Sequence, residues 1–149
     1  KRLLDEARKT QTDLSMLCVF IDNLSMIYQK HGLQIEAPLL KHVEKLMNDQ
    51  LYGKGDIAKI SQQGFCILLP EADILSAKAY AENINKAVQQ NLFSSGTNKI
   101  PLTLSIGIST LLEGDNEIRS IQVRADKALN KAKSLGGNRT FSASTEEDY

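Results

Sequence analysis

Residues 58–70, AKISQQGFCILLP, read as two short apolar runs, Ile57 to Ile60 and Phe65 to Leu69, joined by the polar turn Ser61-Gln62-Gln63-Gly64. That pattern predicts a β-hairpin over 57–69. Its tip carries two glutamines and no charged group.

On both sides of the hairpin, period 2 and period 3.6 alternate. Lys1 to Gln11 reads as a helix, and Ser15 to Ile21 is an apolar run of strand length. Leu39, Leu40, Val43, Leu46, Met47 and Leu51 fall at helical spacing, with Pro38 in the first turn and Gly53 as the stop. After the hairpin, Asp73 starts a helix whose apolar side is Ala77, Ala81, Ile84 and Val88, and SSGTN at 94–98 reads as turn. Leu102 to Leu111 is a third long strand. Asp115 or Asn116 is expected to cap a last helix carrying Ile118, Ile121, Ala125, Leu129 and Ala132, closed by Gly136-Gly137, with an edge strand at Arg139 to Ser142.

Strand, helix, hairpin, helix, strand is the split βαβ order of ferredoxin-like sheets. The expected class is therefore α+β, a central antiparallel sheet covered by helices. The 149 residues, 42% hydrophobic, suit one domain over 1–142, with 143–149 as a polar tail or the start of a linker. Lys plus Arg and Asp plus Glu are 18 each, so no net field gathers phosphate backbones and nucleic acid is not the expected partner. Cys18 and Cys66 sit inside apolar runs, as reduced, buried cysteines do, and no run is long enough to span a bilayer, so a cytoplasmic domain without membrane contact is expected, compatible with a parent protein anchored in a membrane elsewhere. His31 and His42 have no ligand partners at metal spacing.

The segments VFIDNLSMIYQKHG, AKISQQGFCILLPEAD, LTLSIGIST and RADKALNKAKSLGGNR resemble, in order and spacing, the GGDEF domains of the diguanylate cyclase family of cyclic di-GMP signalling. The resemblance implies a nucleotidyl-cyclase palm-like fold with the signature on the hairpin tip. Here the five signature positions are Ser61, Gln62, Gln63, Gly64 and Phe65, and Phe65 alone matches. It further implies that an acid at the third position and another at the end of the first long strand hold a divalent cation; those positions are Gln63 and Phe20, and Asp22 matches a second aspartate. Mg²⁺ is normally held by carboxylates together with phosphates. A phosphate-contacting lysine is replaced by Ser25, and the two groups that read guanine fall at Tyr28 and Ala37. Lys133 matches a further phosphate contact, although a lysine in a last helical turn also simply complements the helix dipole. Asp22 is expected to cap the following helix. The product-inhibition motif R-x-x-D would fall in LYGKGD, Leu51 to Asp56, which has no arginine.

The reading of the residues is thus a degenerate GGDEF domain that is not an enzyme and holds no metal or other cofactor, serving as a regulatory or interaction module. The alternative is a domain that binds GTP without turning it over; an active cyclase ranks third. The expected partner is a neighbouring EAL or sensory domain of the same chain, or another signalling protein.

Overall fold

The computed structural model describes residues 2–143. The chain runs α1 (Arg2–Thr10), β1 (Leu14–Ile21), α2 (Leu24–His31), a 3₁₀ turn (Leu33–Ile35), α3 (Glu36–Leu51), β2 (Asp56–Lys59), β3 (Gly64–Pro70), α4 (Ile74–Gln90), β4 (Phe93–Ser95), β5 (Asn98–Ile100), β6 (Leu104–Thr110), α5 (Ile118–Ser134) and β7 (Arg139–Ser142). The main sheet has the order β2-β3-β1-β6-β7. Its first four strands pair antiparallel, in the spatial order of a ferredoxin-like βαββαβ unit, and β7 adds to β6 in parallel. The expected antiparallel sheet therefore carries one parallel edge strand. A parallel pair needs a long crossover, and α5 supplies it.

Alternation along β1 feeds two cores. Leu17, Val19 and Ile21 point to the side covered by α3 and α4, where they join Val43, Met47, Phe65, Ile67, Ala81, Ile84 and Ile106. Met16 and Cys18 point to the side of α1 and α5, with Leu4, Ala7, Ile121 and Ala125. Gly107 sets the closeness of that second layer: a Cβ there would lie 2.1 Å from Ala125 O, so α5 backbone rests directly on β6.

Four local expectations change. The 24–51 region is two helices and a 3₁₀ turn, broken at Gly32, whose φ of 94° ends α2. The 94–98 segment turns within a two-stranded ribbon, β4 with β5, in which Phe93 faces Ile100. Neither Asp115 nor Asn116 caps α5; its N-cap is Glu117, without a side-chain bond. Asp115 is buried instead, taking Arg124 Nη1 at 2.7 Å and the Leu112 N–H at 2.8 Å. Asp73 does cap α4, accepting the Ser76 N–H. Of the expected tail, Ala143 is buried and donates to Ile108 O, and 144–149 lie outside the described residues. Among the described residues, no helix is long and apolar enough to cross a membrane.

Candidate functional site

The hairpin tip and the end of β1 meet at one edge of the sheet. Phe20 faces Gly64 in the β1–β3 register, and the Ile21 N–H donates to Gln63 O at 2.9 Å. Gly64 O accepts from Ile60 N and Ser61 N, which closes the turn at 60–63. Ser61 and Gln62 are exposed, Gln63 is half-buried, and Gly64 and Phe65 are buried. Phe65 belongs to the α3–α4 core rather than to the tip.

Asp22 is not the helix cap expected of it. The N-cap of α2 is Asn23, in the left-handed region at φ 59° and without a side-chain bond. Asp22 Oδ1 accepts Ser105 Oγ at 2.8 Å, and Oδ2 accepts Thr103 Oγ1 at 2.8 Å and the Asn138 N–H at 2.9 Å. The reason is positional: Asp22 continues the α5-side face of β1, where Ser105 on β6 lies beside it. A carboxylate there ties β1, β6 and the α5–β7 turn together. Gly137 makes this close approach possible, at φ 73° and with a Cβ position 3.0 Å from Asp22 Oδ2.

Lys133, at the end of α5, places Nζ 3.8 Å from the centroid of the Phe20 ring. Such a contact contributes about 0.5–1 kcal/mol at an exposed site. Beside it, a cleft of about 390 Å³ is lined by Asp22, Met26, Ile27, Lys30, Pro101 and Thr103. Met26 is 68% exposed in it.

The structure thus groups Phe20, Asp22, Gln63, Gly64 and Lys133. Ser25 and Ala37 are exposed on α2 and in the first turn of α3. Tyr28 is turned into the α3–α4 core, and its buried hydroxyl has no hydrogen-bond partner among the described residues. Burial, and then the charge of Glu36, raise its pKa. A ring packed in this way is no surface anchor. His42 packs on Phe93 and bonds Asn91 O, a structural role.

Among the described residues, no group of three or more His, Cys, Asp or Glu side chains is placed to hold a metal ion. The one carboxylate at the end of β1 already spends both oxygens on Thr103, Ser105 and Asn138. The residues present do not fit the carboxylate cation site that the family resemblance implies. Sequence reasoning missed Thr103, Ser105 and the Asn138 N–H as Asp22 partners; the Thr-x-Ser alternation leading into β6 was the available signal.

The family description "Diguanylate cyclase, GGDEF domain" matches residues 1–139. The chain belongs to the GGDEF diguanylate cyclase family. Diguanylate cyclase A of Treponema denticola is 29% identical over 136 residues, which are 91% of this chain and 37% of that protein. A diguanylate cyclase of Vibrio cholerae is also 29% identical, over 89% of this chain and 41% of its own length. The chain therefore spans well under half of these curated relatives. The active GGEEF domain of a Vibrio cholerae diguanylate cyclase superposes with a TM-score of 0.91 at 25% identity, covering 98% of this chain and 92% of that one.

These findings correct one expectation. The residues at the implied ligand positions point away from an enzyme, yet the family to which the chain belongs is one of enzymes, its curated relatives being named diguanylate cyclases. The absence of acids at Phe20 and Gln63 speaks to one set of ligands, and that is too narrow a basis for denying a family's chemistry.

Proposed function

We propose that this chain is a regulatory and interaction module of a larger cyclic di-GMP signalling protein, and that it works through the face built from Phe20, the hairpin tip and Lys133. The observation that supports this is the cation–π pair: a half-buried aromatic ring held under a lysine at the end of the strand where the family's signature hairpin meets β1. A half-exposed aromatic ring is the kind of side chain enriched in protein contacts, and the lysine above it orients the ring. The proposed partner is a neighbouring EAL or sensory domain of the same chain, or a second signalling protein. Such arrangements exist among fold neighbours: SiaD of Pseudomonas aeruginosa is solved in complex with its activator SiaC, and a neighbour from M.capsulatus is an EAL/GGDEF domain protein. The proposed location is the cytoplasm.

A second reading is guanine-nucleotide binding at the same face. The Lys133 ammonium and the diguanylate cyclase relatives favour it. One experiment weighs both. The domain is melted alone and with GTP, ATP or cyclic di-GMP, each with Mg²⁺, and the incubations are searched for cyclic di-GMP. A ligand at 100 times its dissociation constant stabilises by about 2.7 kcal/mol, roughly 5–11 °C for a chain of this size. In the full-length protein, Lys133→Glu is then compared with wild type. The contact reading expects a changed regulated output with a melting temperature lowered by only a few degrees, the scale of the lost Lys133–Phe20 contact. A GTP shift that Lys133→Glu removes supports the nucleotide reading, and indifference of both readouts to Lys133→Glu overturns the assignment of this face.

A further inference from the structure

Two nucleophilic side chains lie next to the site and take no part in it. Cys18 on β1 and Cys66 on β3 face each other in the register. Two bonds fix the phase of that ladder: Ile21 N donates to Gln63 O, and Glu71 N donates to Asp13 O. Bonded pairs recur at alternate positions of an antiparallel ladder, so the odd-numbered residues of β1 carry them and Cys18 falls between. A non-hydrogen-bonded pair brings its Cα atoms to about 4.5 Å with the side chains close together. Disulfides span Cα separations of about 4.4–6.8 Å, so this pair lies at the short end, among bridges that are readily reduced again.

The two thiols differ in access. Cys18 is fully buried, and its neighbour across the other ladder is Gly107, on which α5 rests. Cys66 is half-buried, and its partner on β2 is the small, exposed Ala58. The thiol hydrogen bond from Cys18 lowers the Cys66 pKa; the same bond, burial and the Asp126 carboxylate raise that of Cys18. The reachable sulfur is therefore also the more readily ionised one.

We propose that Cys18 and Cys66 are a reversible thiol–disulfide pair, a redox modification site whose oxidant is a low-molecular-weight disulfide of the glutathione type. The Cys66 thiolate attacks one sulfur of the oxidant, forming a mixed disulfide and releasing one glutathione thiolate. Cys18 then attacks Cys66 Sγ as its proton passes to the departing glutathione sulfur, forming the protein disulfide and releasing the second glutathione as a thiol. Two protein thiols are oxidised, and one small disulfide is reduced to two thiols. The bridge lies two residues along each strand from the Phe20–Gly64 pair and on the same face of the sheet, so it fixes the strand spacing beneath the Phe20–Lys133 contact.

The test uses the reduced protein, incubated at neutral pH with oxidised glutathione, quenched with an alkylating agent in denaturant, and examined by intact mass and non-reducing peptide mapping. The expected product is a monomer that has lost two hydrogens and both alkylation sites, with the Cys18 peptide joined to the Cys66 peptide. Cys18→Ser should stop at a glutathione adduct on Cys66, and Cys66→Ser should react about tenfold more slowly, its remaining thiol being buried and less ionised. Wild-type protein that keeps both thiols, stops at the mixed disulfide or cross-links between molecules overturns the proposal. The wild-type arm decides alone, so a variant that fails to fold does not alter the outcome.

Discussion

Replacing Asp22 by alanine removes three acceptor contacts at once: Thr103 Oγ1, Ser105 Oγ and the Asn138 N–H. Hydrogen bonds to a charged group contribute about 1.5–3 kcal/mol each when well buried. Asp22 is only half-buried and two of the donors are hydroxyls that can rotate, so about 1 kcal/mol apiece is the appropriate scale. The fully buried Ser105 is left without its acceptor, which keeps the sum near 3 kcal/mol rather than lower. For a chain of this length that is a fall of roughly 6–12 °C in melting temperature. Urea unfolding followed by circular dichroism measures it, with the midpoint moving and the slope unchanged. Asp22→Asn keeps one acceptor oxygen and should lose about half as much. A loss below about 1 kcal/mol in Asp22→Ala, the scale of a single helix cap, would refute the view that this carboxylate joins three elements of the fold.

Arg124→Ala should cost about 3–5 kcal/mol by stranding the buried Asp115, again read by urea unfolding. Burial opposes ionisation of Asp115, but the hydrogen bonds from Arg124 and Leu112 and the charges of Arg124 and Arg8 outweigh it and hold its pKa below the usual value. The folded state thus takes up that proton later than the unfolded chain, so this stabilisation is complete above about pH 4 and is lost as pH falls through the depressed folded value. Stability of wild type and Asp115→Asn measured down through that range should converge. Tyr28→Phe should be neutral or slightly stabilising, because it removes an unpartnered buried hydroxyl, whereas Tyr28→Ala should cost about 3 kcal/mol. Calorimetry of both variants checks this. Gly107→Ala should leave little folded protein by circular dichroism, since its methyl would overlap the Ala125 carbonyl on α5.

The fold was legible because apolar periodicity marks nearly every element of the main sheet without help from the signature letters. The β4–β5 ribbon escaped because two three-residue strands, Phe-Ser-Ser and Asn-Lys-Ile, around Gly96-Thr97 carry turn composition and too little alternation to register. The site's position was legible only through the family resemblance, which implies that the end of β1 and the hairpin tip work together; the strand register then sets Phe20 opposite Gly64. Its chemistry was less so. Asp22 follows a strand and precedes a helix, and that local context suggests a cap; its actual partners are 81, 83 and 116 residues away in sequence. Asp115 misled for the same reason, its partner Arg124 being on the next helix. That Tyr28, at a position the resemblance links to guanine reading, is packed into the core was not legible, because a helix of low amphipathicity does not declare which side it buries.

The most direct test of the proposed face is amide chemical-shift mapping of the labelled domain, titrated with the proposed neighbouring domain, first without nucleotide and then with GTP and Mg²⁺. A contact through this face should put the largest shifts at Phe20, Ser61 to Gly64 and Lys133 to Asn138, and they should arise before nucleotide is added. Shifts confined to the cleft at the opposite end of the hairpin, around Lys54, Asp56, Glu71 and Tyr80, with Phe20 and Lys133 unmoved, would contradict it.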